Sequence, residues 1–471
     1  MFEVLRTIFP LGTVQTVLAF FEIFFVVYLI GYSSFLFSSV LAGGNEIFEG
    51  TKKRRLRNEI HHDYYVPISM VVPYNEEVTI TETIRSLLNL DYRIYEIIVV
   101  NDGSKDGTGE LVAETFQLRQ VDRPIRRQLP CAEVLSVWES VEADRVPITL
   151  INKANGGKAD SINAGINAAK YPYFVCMDAD SILQKDSLSM IAVPVLENQD
   201  VVAVGSMIRI SNDCVFENGE LVQLRLPKRL TPAFQVLEYE RSFLASRILL
   251  DKFNANLIIS GAFGLFKKDA VINVGGYHAG CVGEDMELIM KLHAYYRSNR
   301  LPYQIKYAYN AVCWTQAPER FRDLLKQRKR WHIGLMQSML GHKSVFTKGS
   351  YLYYLFYELL SPVIELMGLL VTFLAYVYHL VSLRYMLTLL LIYALFSSML
   401  TVISFVTRNY LSNIRVRSVD VLKAFLLCIP ENVLIRFILA WTRILAIFFW
   451  RGKKTRWGEI KRKKIDYNQV A

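Results

Sequence analysis

Charge is missing from two long stretches of this chain, and that limits its fold before anything else does. Between Phe9 and Gly44 the single formally charged residue is Glu22, and between Tyr385 and Thr407 there is none. About 20 apolar residues at a rise of about 1.5 Å span a hydrocarbon core, so each stretch is long enough to cross a bilayer. Leu359–His379 is nearly as apolar, with Glu365 its one fixed charge. Residues 45–350, by contrast, alternate charged loops with short apolar runs, the pattern of a water-soluble α/β unit. The bulk composition agrees: 52 % hydrophobic residues and a mean hydropathy of +0.22 are high for a wholly soluble protein, yet 21 % of residues are charged.

This pattern divides the chain into a transmembrane helix (1–44), a basic juxtamembrane linker (45–64) and a large α/β domain (65–315). Interfacial amphipathic helices (316–350), two transmembrane helices (351–408), an interfacial or re-entrant segment (409–450) and a basic tail (451–471) follow. A cleaved signal peptide ending near Ser39–Ala42 is the rival for the first segment, but the apolar run is too long and Glu3 offsets Arg6. Lys52, Lys53, Arg54, Arg55 and Arg57 follow that run, so the large domain is expected on the cytoplasmic side of the cell membrane. The net charge of +10 is concentrated in the tail, at Arg451, Lys453, Lys454, Arg456, Lys461, Arg462, Lys463 and Lys464. Beside apolar helices such a cluster suits anionic lipid rather than nucleic acid. A tail on the cytoplasmic side requires an even number of crossings after the large domain. Val421–Trp450 carries Glu431, Asn432, Arg436 and Arg443, the last three on one helical stripe, and so reads as a helix lying in the membrane interface, with a re-entrant hairpin as the alternative.

The six cysteines form no C-x-x-C pair and no regular framework, which argues against disulfides or a zinc site. His61 and His62 sit in the charged linker and read as solvated.

Within the large domain, β-rich runs alternate with helical ones. Tyr65–Pro73 closes in Tyr74-Asn75-Glu76-Glu77, Glu96–Asn101 ends in Asp102-Gly103-Ser104, and Tyr173–Met177 ends in Asp178-Ala179-Asp180. Strand, loop, helix, repeated, predicts a mostly parallel, Rossmann-like sheet with helices on both faces and a ligand at the carboxyl ends of its strands. No G-x-G-x-x-G follows any strand, so phosphate must be met another way. Carboxylates gathered at strand ends repel unless a cation joins them, and a hard divalent ion bridging a diphosphate fits that need. Asn155-Gly156-Gly157-Lys158 opens a helix, where glycines, a helix N-terminus and a lysine suit an anion, though an ordinary glycine turn has the same composition. Gly283-Glu284-Asp285 leads a second helix; it reads either as a general base or as dipole-compensating acid in a first turn. Gln327, Arg330 and Trp331 share one helical face, which suits a diphosphate and a stacked sugar or, alternatively, a membrane surface. The segment 117–147 reads as a solvated insertion with no assigned chemistry.

Taken in order, Val72–Glu77, Val100–Ser104, Gly157-Lys158-Ala159, Asp178-Ala179-Asp180, Ser260-Gly261-Ala262-Phe263-Gly264, Gly283-Glu284-Asp285 and Gln327-x-x-Arg330-Trp331 resemble the motifs of the processive, membrane-embedded family-two glycosyltransferases. That group includes the cellulose, hyaluronan and poly-N-acetylglucosamine synthases. The resemblance covers about residues 66–335 and implies a GT-A fold, inversion at the anomeric carbon and a nucleotide sugar, UDP-linked, as donor. By the same resemblance, Pro73, Tyr74, Asn75, Glu77 and Asp102 would hold the nucleoside, and Lys158 would lie near the diphosphate. Asp178 and Asp180 would bind Mg or Mn, and Asp285, flanked by Glu284, would be the base. Gln327 and Arg330 would steady the leaving diphosphate, while Trp331 would stack on the acceptor sugar near Ser260, Gly261 and Ala262. The acceptor loop lacks the family's usual cysteine. The few membrane helices point to a homodimer or a small membrane subunit if an exopolysaccharide passes through. A non-processive transferase acting on a polyprenyl phosphate and an inactive scaffold that senses nucleotide sugars are the rival readings.

Overall fold

The computed structural model describes residues 11–58, 64–75, 77–141, 146–217, 220–244, 246–342, 352–411 and 416–448. Its twelve strands are β1 (Ile68–Tyr74), β2 (Tyr95–Asn101), β3 (Leu118–Val121), β4 (Val134–Ser140), β5 (Ile148–Lys153), β6 (Tyr173–Met177), β7 (Ile182–Leu183), β8 (Val201–Ile210), β9 (Val215–Glu217), β10 (Glu220–Gln223), β11 (Phe263–Lys267) and β12 (Gln304–Thr315). Ten of them form one sheet in the order β3-β4-β5-β2-β1-β6-β11-β8-β12-β7, while β9 and β10 pair as a separate ribbon. The sheet is mixed. Its middle, β5-β2-β1-β6, is parallel throughout, as the alternation of strands and helices predicts, because parallel neighbours need a crossover helix between them. Beyond β6 the chain returns antiparallel through β11, and the hairpin β3–β4 adds an antiparallel edge at the other end.

That hairpin is the 117–147 insertion, which is an extension of the sheet rather than a solvated loop. Its pairs with β5, including Trp138–Leu150 and Val137–Ile151, hold it in register. β1, β2 and β8 are buried along their whole lengths, as strands covered on both faces should be. Pro73 within β1 is tolerated for a local reason. Tyr74 O accepts from Asp102 N on the β2 side, so Pro73 faces β6, whose pairing ends earlier at Val71–Cys176.

The first apolar stretch is one continuous helix, Leu11–Asn58, so the segment expected as a separate linker from residue 45 is helical through 58. The helices containing Gly12–Gly50, Leu383–Thr407 and Ser418–Phe448 are long and apolar enough to cross a membrane, whereas Ser361–Val377 is shorter. They pack together: Phe25 lies against Gly368, Thr372 donates to Glu22 at 2.8 Å, and Leu36 and Val40 pack with Leu400. Outward-facing Phe20, Ile23, Val27, Leu387, Leu391 and Ile392 leave an apolar rim. The run Ser418–Phe448 has the composition of a crossing helix, and it packs both on the apolar helices Ser361–Val377 and Leu383–Leu411 and on the α/β side. Val416 bridges to Leu224, Glu431 pairs with Arg241 at 3.1 Å, and the final helix, Arg436–Phe448, packs on helix Phe321–Gly341. Its polar stripe faces inward: Arg436 pairs with Glu365 at 2.5 Å and stacks over Tyr32 and Tyr393, and Arg443 has Glu238, Arg328 and Glu358 around it.

Candidate active site

The carboxyl ends of β1, β2, β5 and β6 meet the loop before β11 and the start of helix Glu284–Ser298. Asp102, just past β2, is buried and heavily bonded. Its Oδ1 accepts from Lys153 Nζ at 2.6 Å and Gly156 N at 2.9 Å; its Oδ2 accepts from Gly157 N at 2.8 Å and Asn155 Nδ2 at 3.2 Å. At the glycine-rich helix start the N–H groups of Gly156 and Gly157 are thus met by the protein's own Asp102. Gly157 sits at φ +88°, the left-handed conformation that turns the two N–H groups toward this carboxylate. Lys153 was not singled out by its sequence, and it is the residue that completes the cluster, bridging Asp102 to Asp160 at 2.7 Å while fully buried. One signal was available: a lysine ending the apolar strand Ile148–Asn152 must be paired if the strand is interior.

Lys158, the first residue of helix Lys158–Ala168, turns instead into the crevice. Its Nζ pairs with Asp178 Oδ1 and lies 3.7 Å from Glu284 Oε1. Burial disfavours the ammonium, but Asp178 and then Glu284 outweigh that penalty and hold its pKa above the ordinary lysine value. Asp178 leaves β6 and Asp180 lies in the turn behind it, so strand alternation does not continue across the tripeptide. Thr83 Oγ1 donates to Ala179 O at 2.6 Å and pins that turn to helix Glu77–Leu88.

Asp285 and Glu284 open their helix against the acceptor loop. Gly261 N donates to Asp285 Oδ2 at 3.3 Å, and a Cβ on Gly261 would stand 2.9 Å from Lys158 Nζ, so a larger residue there would displace the lysine head group. Ala262 N donates to Ser260 Oγ, and Ala262 O accepts from Asp178 N at 3.4 Å. Burial pushes the Glu284 carboxyl up to about 7, with Lys158 opposing the shift and Asp285 adding to it. The structure thus gathers Lys158, Asp178, Gly261, Glu284 and Asp285 around one crevice. Pro73 and Tyr74, at the carboxyl end of β1, are buried, and Asn75 is exposed. Glu76 lies outside the described residues, and Glu77 begins the following helix.

Gln327, Arg330 and Trp331 lie on helix Phe321–Gly341. Trp331 is 41 % exposed, and the cation over its ring is Arg328, at 4.4 Å, rather than Arg330. Arg328 pairs with Glu238 at 2.7 Å, and Tyr239 flanks the indole at 6.5 Å. Gln327 Oε1 is buried without a hydrogen-bond partner among the described residues.

The residues present suit a divalent metal of the hard kind. Asp178 and Asp180 offer oxygen donors, and Lys158 supplies the positive charge that Asp178 otherwise lacks. Among the described residues no three acidic, histidine or cysteine side chains stand together as a metal-binding group.

A family model described as "Glycosyltransferase like family 2" matches residues 67–334, more than half of the chain. The chain belongs to glycosyltransferase family 2. Its matched segment runs from the start of β1 to the helix of Trp331, which takes in every strand of the large sheet. This family-two chain is 29 % identical over 352 residues to the poly-beta-1,6-N-acetyl-D-glucosamine synthase of Staphylococcus epidermidis, covering 74 % of this chain and 72 % of that one. It is 30 % identical over 287 residues to the enzyme of the same name from Staphylococcus aureus strain COL, covering 60 % and 58 %. A solved mannosyltransferase from Pyrobaculum calidifontis, in complex with GDP-Man and Mn2+, aligns with 89 % of this chain and 98 % of its own at 18 % identity and a TM-score of 0.45. A structural likeness at that level supports no functional inference.

Proposed function

We propose that this family-two glycosyltransferase is an inverting, processive, metal-dependent polysaccharide synthase of the cell membrane, fed by a UDP-sugar from the cytoplasmic side. The observation that carries the proposal is the meeting of Lys158 and Asp178 with Asp285 across Gly261. This puts a cation-and-carboxylate pair for a diphosphate within one residue's width of a carboxylate base. The sugar's anomeric carbon would lie between them. Asp285 takes the proton from the attacking acceptor hydroxyl at its carboxylate, the bond to the diphosphate breaks, and Lys158 stabilises the departing charge. Mg or Mn held by Asp178 and Asp180 would supply further charge neutralisation at that diphosphate. Asp102 acts through the Lys153–Gly157 loop, fixing the start of the helix that carries Lys158. Gln327 and Arg330 face the leaving group, and Trp331, exposed and flanked by Tyr239, offers a plate for the acceptor sugar.

The Staphylococcus relatives make UDP-N-acetylglucosamine the first donor to test. For topology, Leu11–Asn58, the run ending at Val377 and Leu383–Leu411 cross the bilayer. Ser418–Phe448, whose polar residues Glu431 and Arg436 pair with Arg241 and Glu365, is assigned to the interface, which leaves the basic tail on the cytoplasmic side. The test is product formation in isolated membranes from a panel of labelled UDP-sugars with Mg or Mn, with and without EDTA. A high-mass product from one donor, lost on chelation, is expected. A single-sugar lipid product would move the assignment to a polyprenyl-phosphate transferase, and no product from any donor would overturn it.

A further inference from the structure

Helix Phe321–Gly341 meets the Gly283-Glu284-Asp285 turn at a pair of glycines. A Cβ placed on Gly334 would stand 3.0 Å from Gly283 Cα and 3.1 Å from Gly283 N; one placed on Gly283 would stand 3.1 Å from Gly334 Cα. Ordinary carbon–carbon contacts are about 3.5–4.0 Å, and the atoms in the way are backbone, so no side chain can swing aside. Two polar contacts tie the same pair of elements: Val282 N donates to Gln337 Oε1 at 3.4 Å, and His342 Nε2 lies 3.5 Å from Glu287 Oε1. Gly334 stands seven residues after Gln327 and four after Arg330, so these three residues share one stripe of the helix. The stripe that touches the turn of the base therefore also carries the residues assigned to the leaving group. Glycine in a helix interior is unfavourable relative to alanine, so its presence here calls for a packing reason, and the contact with Gly283 supplies it.

We propose that Gly334 is a positioning residue whose contact with Gly283 sets the separation between the Asp285 carboxylate and the Gln327/Arg330 face. This rests on the reading of Asp285 as the base. An added methyl must push the two elements apart by a few tenths of an ångström, and since misplacement by about 1 Å costs a reaction about a hundredfold, a loss of about threefold to tenfold follows. Donor binding, built mainly on β1, β2 and the Lys158 helix, is left in place.

The experiment compares wild type, Gly334→Ala and Gly341→Ala in detergent or nanodiscs, measuring kcat, donor KM, UDP affinity and thermal midpoint. Gly341 is the control: it ends the same helix, and a Cβ there meets nothing within 4 Å. The expected result is a fall in kcat of about threefold to tenfold for Gly334→Ala, with donor KM and UDP affinity within about twofold, and wild-type behaviour for Gly341→Ala. A Gly334→Ala enzyme with unchanged kcat overturns the inference. So does one whose UDP affinity or thermal midpoint falls in step with its rate, which would mark Gly334 as packing only. If Gly334→Ala does not fold, Gln337→Leu loosens the same contact without inserting an atom against backbone. A loss of roughly threefold to tenfold in kcat at constant donor KM is then expected, and no loss overturns the inference. A wild-type enzyme silent on every donor sinks the functional reading and this inference with it, whereas an active wild type with unaffected variants sinks this inference alone.

Discussion

Replacing Asp102 tests whether the loop that delivers Lys158 is held as the structure shows. The carboxylate accepts four hydrogen bonds through its side chain, from Lys153 at 2.6 Å, Gly157 N at 2.8 Å, Gly156 N at 2.9 Å and Asn155 Nδ2 at 3.2 Å. Breaking a buried ion pair by removing one partner costs about 3–5 kcal/mol, and each stranded backbone N–H about 1–3 kcal/mol. The sum overstates the loss, because Lys153 keeps Asp160 at 2.7 Å and the glycine loop can rearrange. A net cost of about 4 kcal/mol for Asp102→Ala follows, and a domain of this size loses about 2–4 °C per kcal/mol, so the thermal midpoint should fall by about 8–16 °C. Asp102→Asn keeps the shape but sets an NH2 group against a lysine or a backbone N–H, so it should fall between wild type and alanine. Unfolding of the purified enzyme, followed by intrinsic fluorescence, reads the order directly. An alanine variant within about 2 °C of wild type would refute the view of Asp102 as the organiser of residues 153–157.

Two further outcomes follow from the same charges. Glu284, with its folded pKa pushed up to about 7 by burial, keeps a proton that the unfolded chain sheds above about pH 4.5. Its raised pKa thus contributes stability below that point which is lost as pH rises toward 7, by up to about 1.4 kcal/mol per pH unit. Lys158, Asp285 and Asp178 face it, and Glu284→Gln should flatten the fall of the thermal midpoint between pH 5 and 7; an unchanged slope would contradict the shift. In the helical region, Arg436→Met or Glu365→Gln alone strands one partner of a buried pair and should destabilise by about 3–5 kcal/mol. The double substitution should recover part of the loss in a double-mutant cycle, and strict additivity would show that the pair is not formed.

The sequence made the strand ends visible because buried parallel strands are continuous apolar runs, and each run here stops at a polar or acidic residue. It also made the order of Asp102, Asp178 and Asp285 along the chain visible. It did not make visible what each carboxylate faces. The bond from Lys153, 51 residues on, to Asp102 is not readable from the motif. Arg328 lies one turn from Trp331 and has the same composition cue as Arg330, so the choice between them depends on Glu238, far away in sequence. The hairpin β3–β4 is too polar and too short in its apolar runs to stand out from a loop; its pairing to β5 is what makes it sheet. The polar stripe of Asn432, Arg436 and Arg443 is legible as a stripe, but its inward direction depends on Glu365 and Glu238. The Gly283–Gly334 contact joins positions that neither periodicity nor motif connects.

The most direct test of the central claim is donor turnover by Asp285→Asn in native membranes, set against UDP binding by the same variant. The asparagine keeps the shape that Gly261 N meets but cannot take the acceptor's proton. The account predicts polymer formation reduced by about a hundredfold or more with UDP affinity essentially unchanged. Polymer formation at near wild-type rate in Asp285→Asn would show that the base is elsewhere and would contradict the account.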